Sequence, residues 1–235
     1  MEYNLALTLF ISVFLMAIVL IVLMYGISFF SIMDLAEYES WSEAMGWAIA
    51  ITFALLTVSF FQFEIYRGEV AVYLNLIGVV APVAVSLYLL LWRKVKVLPA
   101  LVAMAVVAVI AFPFVTIEEG AMVTQFPFWL FPIAVAVGVS LLLVQEKDVM
   151  KIAALAYFAG SMGMFIGGDL LHALTIDMDS YDAIYFGARG LLDFVFLSGV
   201  MCVGIVIFGD SLAQWTNRSL TQREAKLRLP PRSKD

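Results

Sequence analysis

The chain has 235 residues, 64% of them apolar and 14% charged, with 13 Lys or Arg against 19 Asp or Glu and a net charge of −6. An ordinary soluble domain carries about 25% charged residues, so this composition, with a mean hydropathy of +1.02, excludes a disordered chain and a coiled coil and reads as an integral membrane protein. One cysteine, Cys202, and one histidine, His172, exclude an internal disulfide and a zinc finger, and a basic cluster confined to the C-terminal tail gives nucleic acid no docking surface.

Crossing a hydrocarbon core takes about 20 apolar residues. Seven runs qualify: Leu5–Met33, Met45–Phe63, Val70–Trp92, Val97–Ile117, Ala121–Val144, Ile152–Ile176 and Ala183–Phe208. Lipid leaves every backbone polar group to be satisfied internally, which favours helices. The runs are also continuous, unlike the alternating strands of a membrane barrel. The expected fold is therefore all-α, a polytopic membrane protein with seven transmembrane helices. It forms one domain over 1–210, followed by a basic tail over 211–235.

Basic residues set the orientation. Arg93, Lys94 and Lys96 follow the third run, Lys147 and Lys151 follow the fifth, and Arg218, Arg223, Lys226, Arg228, Arg232 and Lys234 fill the tail. Seven crossings put all three groups on one side, which the positive-inside rule makes cytoplasmic, with the N-terminus outside. The start of the chain, Met1 to Asn4, has no basic n-region, so no cleaved signal peptide is expected. No lysine lies inside a run, which excludes a retinal Schiff base.

The first five runs hold no charge; the last two hold Asp169, Arg189 and Asp193, together with His172. Gly163 and Gly167 form a small-xxx-small pair, with Gly168 beside them and Gly187 and Gly190 in the seventh run. Such glycines let helices approach closely where lipid provides no hydrophobic drive. Asp169 and His172 are three apart and share a face if the run is a regular helix. An ionised Asp in mid-span costs on the order of 2.5–3.5 kcal/mol on insertion scales, which marks Asp169 as a functional candidate. At 1.5 Å per residue, Asp169 lies about 10 Å below the outer end of the sixth run. The same arithmetic puts Asp193 about 15 Å and Arg189 about 9 Å below the outer end of the seventh. Neighbouring helices would thus gather the three charges into one cluster. No metal is expected, because Asp169 and His172 would need a third and a fourth ligand and only Asp193 is available within the runs, and no cofactor is implied.

Three blocks carry a resemblance: Leu74–Leu90 (LNLIGVVAPVAVSLYLL), Ile166–Leu171 (IGGDLL) and Gly187–Gly199 (GARGLLDFVFLSG). In order and spacing they resemble a bacterial and archaeal family of polytopic membrane proteins labelled only as a domain of unknown function. The resemblance spans about residues 75–199 and implies the polytopic fold and the importance of Asp169 and Asp193. Arg189 and Phe194 depart from it, each standing where the family has glycine. More distantly, the pair of aspartates on two helices resembles intramembrane aspartyl proteases, although Ile166–Asp169 and Gly190–Asp193 do not reproduce their Gly-x-Gly-Asp motif.

Three functions compete. Asp169 and Asp193 as catalytic residues would make an intramembrane aspartyl protease, whose partners are the lipid bilayer and a membrane-protein substrate. The same acids with Arg189 and His172 could serve a proton- or ion-coupled transporter or channel. A non-catalytic scaffold would use Asp169, Arg189 and Asp193 as an internal ion cluster.

Overall fold

The computed structural model describes residues 61–67, 70–92, 95–124, 128–146, 148–175, 181–189 and 193–228. The run Leu5–Met33, most of Met45–Phe63, the basic residues Arg93, Lys94 and Lys147, Gly190 and the last residues of the tail lie outside them. In chain order the elements are β1 (Gln62–Arg67), β2 (Ala71–Asn75), a π-helical segment (Leu76–Val80), α1 (Ala81–Leu91), α2 (Val97–Ala111), a 3-10 turn (Phe112–Phe114), β3 (Val115–Glu118), β4 (Ala121–Thr124) and α3 (Leu130–Leu143). There follow α4 (Val149–Met164), a second π-helical segment (Phe165–Leu170), α5 (Leu171–Thr175), β5 (Ala183–Phe186) and α6 (Phe194–Arg228).

Most of the described chain is helical, but an all-α fold is corrected by a five-stranded sheet ordered β1-β2-β5-β4-β3. The runs Val70–Trp92, Ala121–Val144 and Ala183–Phe208 open as strands, and Val97–Ile117 closes as one. Their ends are rich in β-branched and aromatic residues (Val72 and Tyr73, Val115 to Ile117, Ile184 to Phe186), which suit a pleated surface. Hydropathy alone does not separate such a strand from the helix it continues into. β2, β5 and β4 run parallel, with Ala71 to Leu74 opposite Ala183 to Phe186 and Ala121 opposite Tyr185. β3 and β4 form a hairpin whose turn residues Glu119 and Gly120 have φ of 52° and 77°, the left-handed pair that a two-residue turn demands.

Each of the three parallel strands leads toward a helix, so the sheet gathers at one end of the bundle. The α1–α2 and α3–α4 connections meet at the other, where Lys96, Glu146 and Lys151 line one cavity.

Within the bundle α4 is central, packed on α2, α3 and α6. It starts where Asp148 Oδ1 accepts the N–H groups of Met150 and Lys151 at 3.0 and 3.3 Å, a side-chain N-cap. The core is made largely of small residues, including Ala100, Ala103, Ala136, Ala156 and Ala159, with Val107, Leu155, Phe158 and Cys202 filling the rest. Among the described residues three helices are long and apolar enough to cross a membrane: Val97–Phe114, Val149–Thr175 and Phe194–Thr216. Leu76–Leu91 and Leu130–Leu143 are apolar but shorter. Outward-facing Leu98, Val109 and Leu142 are 73%, 72% and 82% exposed, a surface suited to lipid tails.

Candidate functional site

The two aspartates sit at the sheet-capped end, one on each side of the α4–α6 contact. Asp169 lies within the second π-helical segment, Phe165–Leu170. Asp193 is the residue before α6, and its Oδ1 accepts the Val195 N–H at 3.0 Å while its carbonyl accepts the Leu197 N–H at 2.8 Å. Asp193 is thus the N-cap of the longest helix, where the helix dipole favours a negative charge. One turn further on, Ser198 Oγ donates to the Gly160 carbonyl at 2.9 Å and ties α6 to α4.

Both carboxyl groups are buried, Asp169 at 6% and Asp193 at 5% exposure, and the Asp193 charge acts directly on Asp169. Among the described residues Asp169 Oδ2 has no hydrogen-bond partner, an exception among buried polar atoms. Val79, Ala111, Met164 and Val195 form an apolar cluster, with Phe165, Phe186 and Phe194 packed against it. These residues flank the aspartates and come from the first π segment, α2, α4, β5 and the start of α6.

The other expected members are placed differently. Arg189 is exposed and lies in the turn after β5 rather than on a helix. It makes no ion pair with either aspartate among the described residues, although its backbone and guanidinium both act on Asp193. Asp193 is accordingly not at a helical depth below Ala183, because residues 183–186 are a strand and the chain turns at Gly187, whose φ is 69°. His172 does not extend the pair. Its Nδ1–H donates to the Gly167 carbonyl at 3.2 Å and its ring packs on Phe112 at 4.5 Å. Asp169 lies in the π-helical segment and His172 in the short α-helix that follows it, so the two are not on one regular helix.

The glycines act as close-contact points. A Cβ on Gly167 would meet the Ala108 backbone, and one on Gly163 would meet Val107. A Cβ added at Gly168 would lie 3.3 Å from Val115 Cγ2, so the start of β3 packs close to the segment that carries Asp169. Gly187 abuts Gly78 and Val79.

That last contact brings in a residue the sequence reading passed over. Asn75 is 1% exposed, and its Oδ1 accepts the N–H groups of Ile77 and Gly78 at 3.0 and 2.8 Å, capping the first π segment. Gly78, so fixed, supports Gly187 on the way to Asp193. The available signal was that Asn75 is the one carboxamide in the run Val70–Trp92. Among the described residues no group of three or more His, Cys, Asp or Glu could hold a metal ion.

No curated protein and no solved structure matches this chain, so the distant likeness to intramembrane aspartyl proteases finds no support there. A family model does match, over residues 27–205, and it contains Asn75, both aspartates and all five strands. The chain belongs to the family described as protein of unknown function (DUF1614).

Proposed function

We propose that this is a seven-span membrane protein in which Asp169 and Asp193 act as an aspartyl dyad, hydrolysing a peptide bond of a membrane-protein substrate. Support comes from the burial of two carboxyl groups on separate elements, near enough for the charge of Asp193 to act on Asp169, with Arg189 in an ion pair with neither among the described residues. A cation between them would favour two ionised carboxylates and abolish a shared proton; carboxyl groups close together in a dry site share one. In such a dyad the ionised carboxylate takes a proton from water as its oxygen attacks the peptide carbonyl. The protonated partner gives its proton to the carbonyl oxygen. The resulting gem-diol collapses with proton transfer to nitrogen, releasing an acid and an amine and returning the dyad to one proton. Asp193, at the helix N-terminus, suits the ionised role, and Asp169, whose Oδ2 has no hydrogen-bond partner among the described residues, suits the protonated one.

The test is cleavage of a single-span model substrate in proteoliposomes by the parent, Asp169→Asn and Asp193→Asn. General acid–base groups contribute about 10²–10⁴-fold, so each Asn variant loses cleavage by that order while its melting temperature holds. A variant that cuts as fast as the parent overturns the dyad.

Proton- or ion-coupled transport is the second reading, favoured by the π-helical segment that carries Asp169. Interruptions of this kind gather at functional sites, and coupling-ion sites use discontinuous spans. On that reading the Asn variants lose ion-dependent uptake, and the parent shows no cleavage.

A further inference from the structure

At the end opposite the sheet, the α1–α2 and α3–α4 connections enclose a cavity of about 260 Å³. Its wall is apolar, from Pro99 on α2, Leu143 on α3 and Leu155 on α4, and its rim carries Lys96, Lys151 and Glu146. Lys151 is held in place by ion pairs to Glu146 and, at 3.6 Å, to Asp148. Lys96 is exposed and makes no ion pair with any described residue. The Lys151 hydrogen bond, then the charges of Lys151 and Lys96, hold the Glu146 carboxyl below the ordinary carboxylate range, so at neutral pH it offsets one of the two ammonium groups. Asp148 offsets the other in number, but both acids pair with Lys151, so Lys96 keeps no ion-pair partner among the described residues, and Arg93, Lys94 and Lys147, which adjoin the rim in the sequence, give the two connections a net positive charge.

Depth identifies the occupant. The apolar spans begin at Val97 and Val149, so on the membrane-spanning reading Lys96 and Glu146 stand at headgroup level while Leu143 and Leu155 reach toward the acyl chains. Basic pockets between membrane helices bind anionic lipid headgroups.

We propose that this cavity is a binding site for one anionic phospholipid, its phosphate on Lys96 and its glycerol and upper acyl carbons against Pro99, Leu143 and Leu155. Lys151, already paired, shapes the rim. The site rests on the membrane-spanning reading but not on hydrolysis, so it stands or falls apart from the dyad.

Native mass spectrometry of the full chain, released from micelles doped equally with phosphatidylglycerol and phosphatidylcholine, tests it. The expected result is preferential retention of one phosphatidylglycerol. A basic side chain near the surface contributes enough to change affinity about fivefold, so Lys96→Gln should weaken retention by that factor and Lys96→Arg should restore it. Gln at this exposed position leaves the Glu146–Lys151 pair intact, and an unchanged melting temperature confirms the fold. As a second variant, Leu143→Trp intrudes on the apolar wall and should also reduce retention. Equal retention of the two lipids, or indifference to Lys96→Gln, overturns the proposal. So does full displacement by inorganic phosphate, which would make the cavity a free-anion site.

Discussion

Asp193 combines a structural task with its place in the pair, and the two can be separated. Asn accepts the same Val195 N–H that Asp193 Oδ1 accepts, and Asn and Asp are comparable N-caps, whereas Ala is not. Asp193→Asn should therefore keep thermal stability, and Asp193→Ala should lose about 0.5–2 kcal/mol, read by thermal melting in detergent. Asp169 has no such task. Its Oδ2 is buried without a partner among the described residues, so Asp169→Asn should hold or raise the melting temperature; a loss of several kcal/mol in stability is expected only if the carboxylate is one half of a structural ion pair. Gly167 makes a sharper point than its small-xxx-small spacing suggests. Its added Cβ would strike the Ala108 backbone, which has no flexible end to yield, so even Gly167→Ala should cost about 1–3 kcal/mol. A Cβ on Gly138 of α3 would meet nothing within 4 Å among the described residues, and Gly138→Ala should be neutral or stabilising by about 0.5–1 kcal/mol. Equal melting of the two Ala variants would mean that the α2–α4 contact is looser than described.

The strands explain what the sequence could and could not convey. The helical parts of α2, α4 and α6 were legible, because long apolar runs have few alternatives and the charges of Asp169 and Asp193 stand out in them. The burial of both aspartates in apolar surroundings agrees with their place in those runs. The sheet was not legible: Ala183–Phe186 is as apolar as the helix of which it seemed to be part, and only its pairing with Ala71–Leu74 reveals it. Arg189 was misplaced for the same reason, since a strand and a turn at Gly187 carry it to the surface. The π-helical segment around Asp169 has no signature in spacing alone. Gly187 is the most sensitive of these junctions, with a left-handed φ and the Gly78 backbone against it. Gly187→Ala should lower the melting temperature and, by shifting the approach to Asp193, reduce activity further than stability alone accounts for. Retained activity at full stability would separate this turn from the site.

The molecule has two unlike ends. One is capped by a mixed sheet over two buried acids; the other carries Lys96 and Lys151 around an apolar-walled cavity. Antiparallel packing of α1 to α4 and α6 produces this polarity. With the positive-inside rule it predicts that reporter fusions after Trp92, Lys147 and Trp215 all report the cytoplasm. An external signal from any one of them contradicts the proposed orientation. The central claim is that Asp169 and Asp193 act as one unit, and a double-variant cycle on cleavage in proteoliposomes addresses it most directly. Residues that act together are strongly non-additive. Asp169→Asn, Asp193→Asn and the double variant should therefore lose activity to the same residual level, each with the parent's melting temperature. Losses that multiply in the double variant, or a single variant that retains the parent's rate, would contradict it.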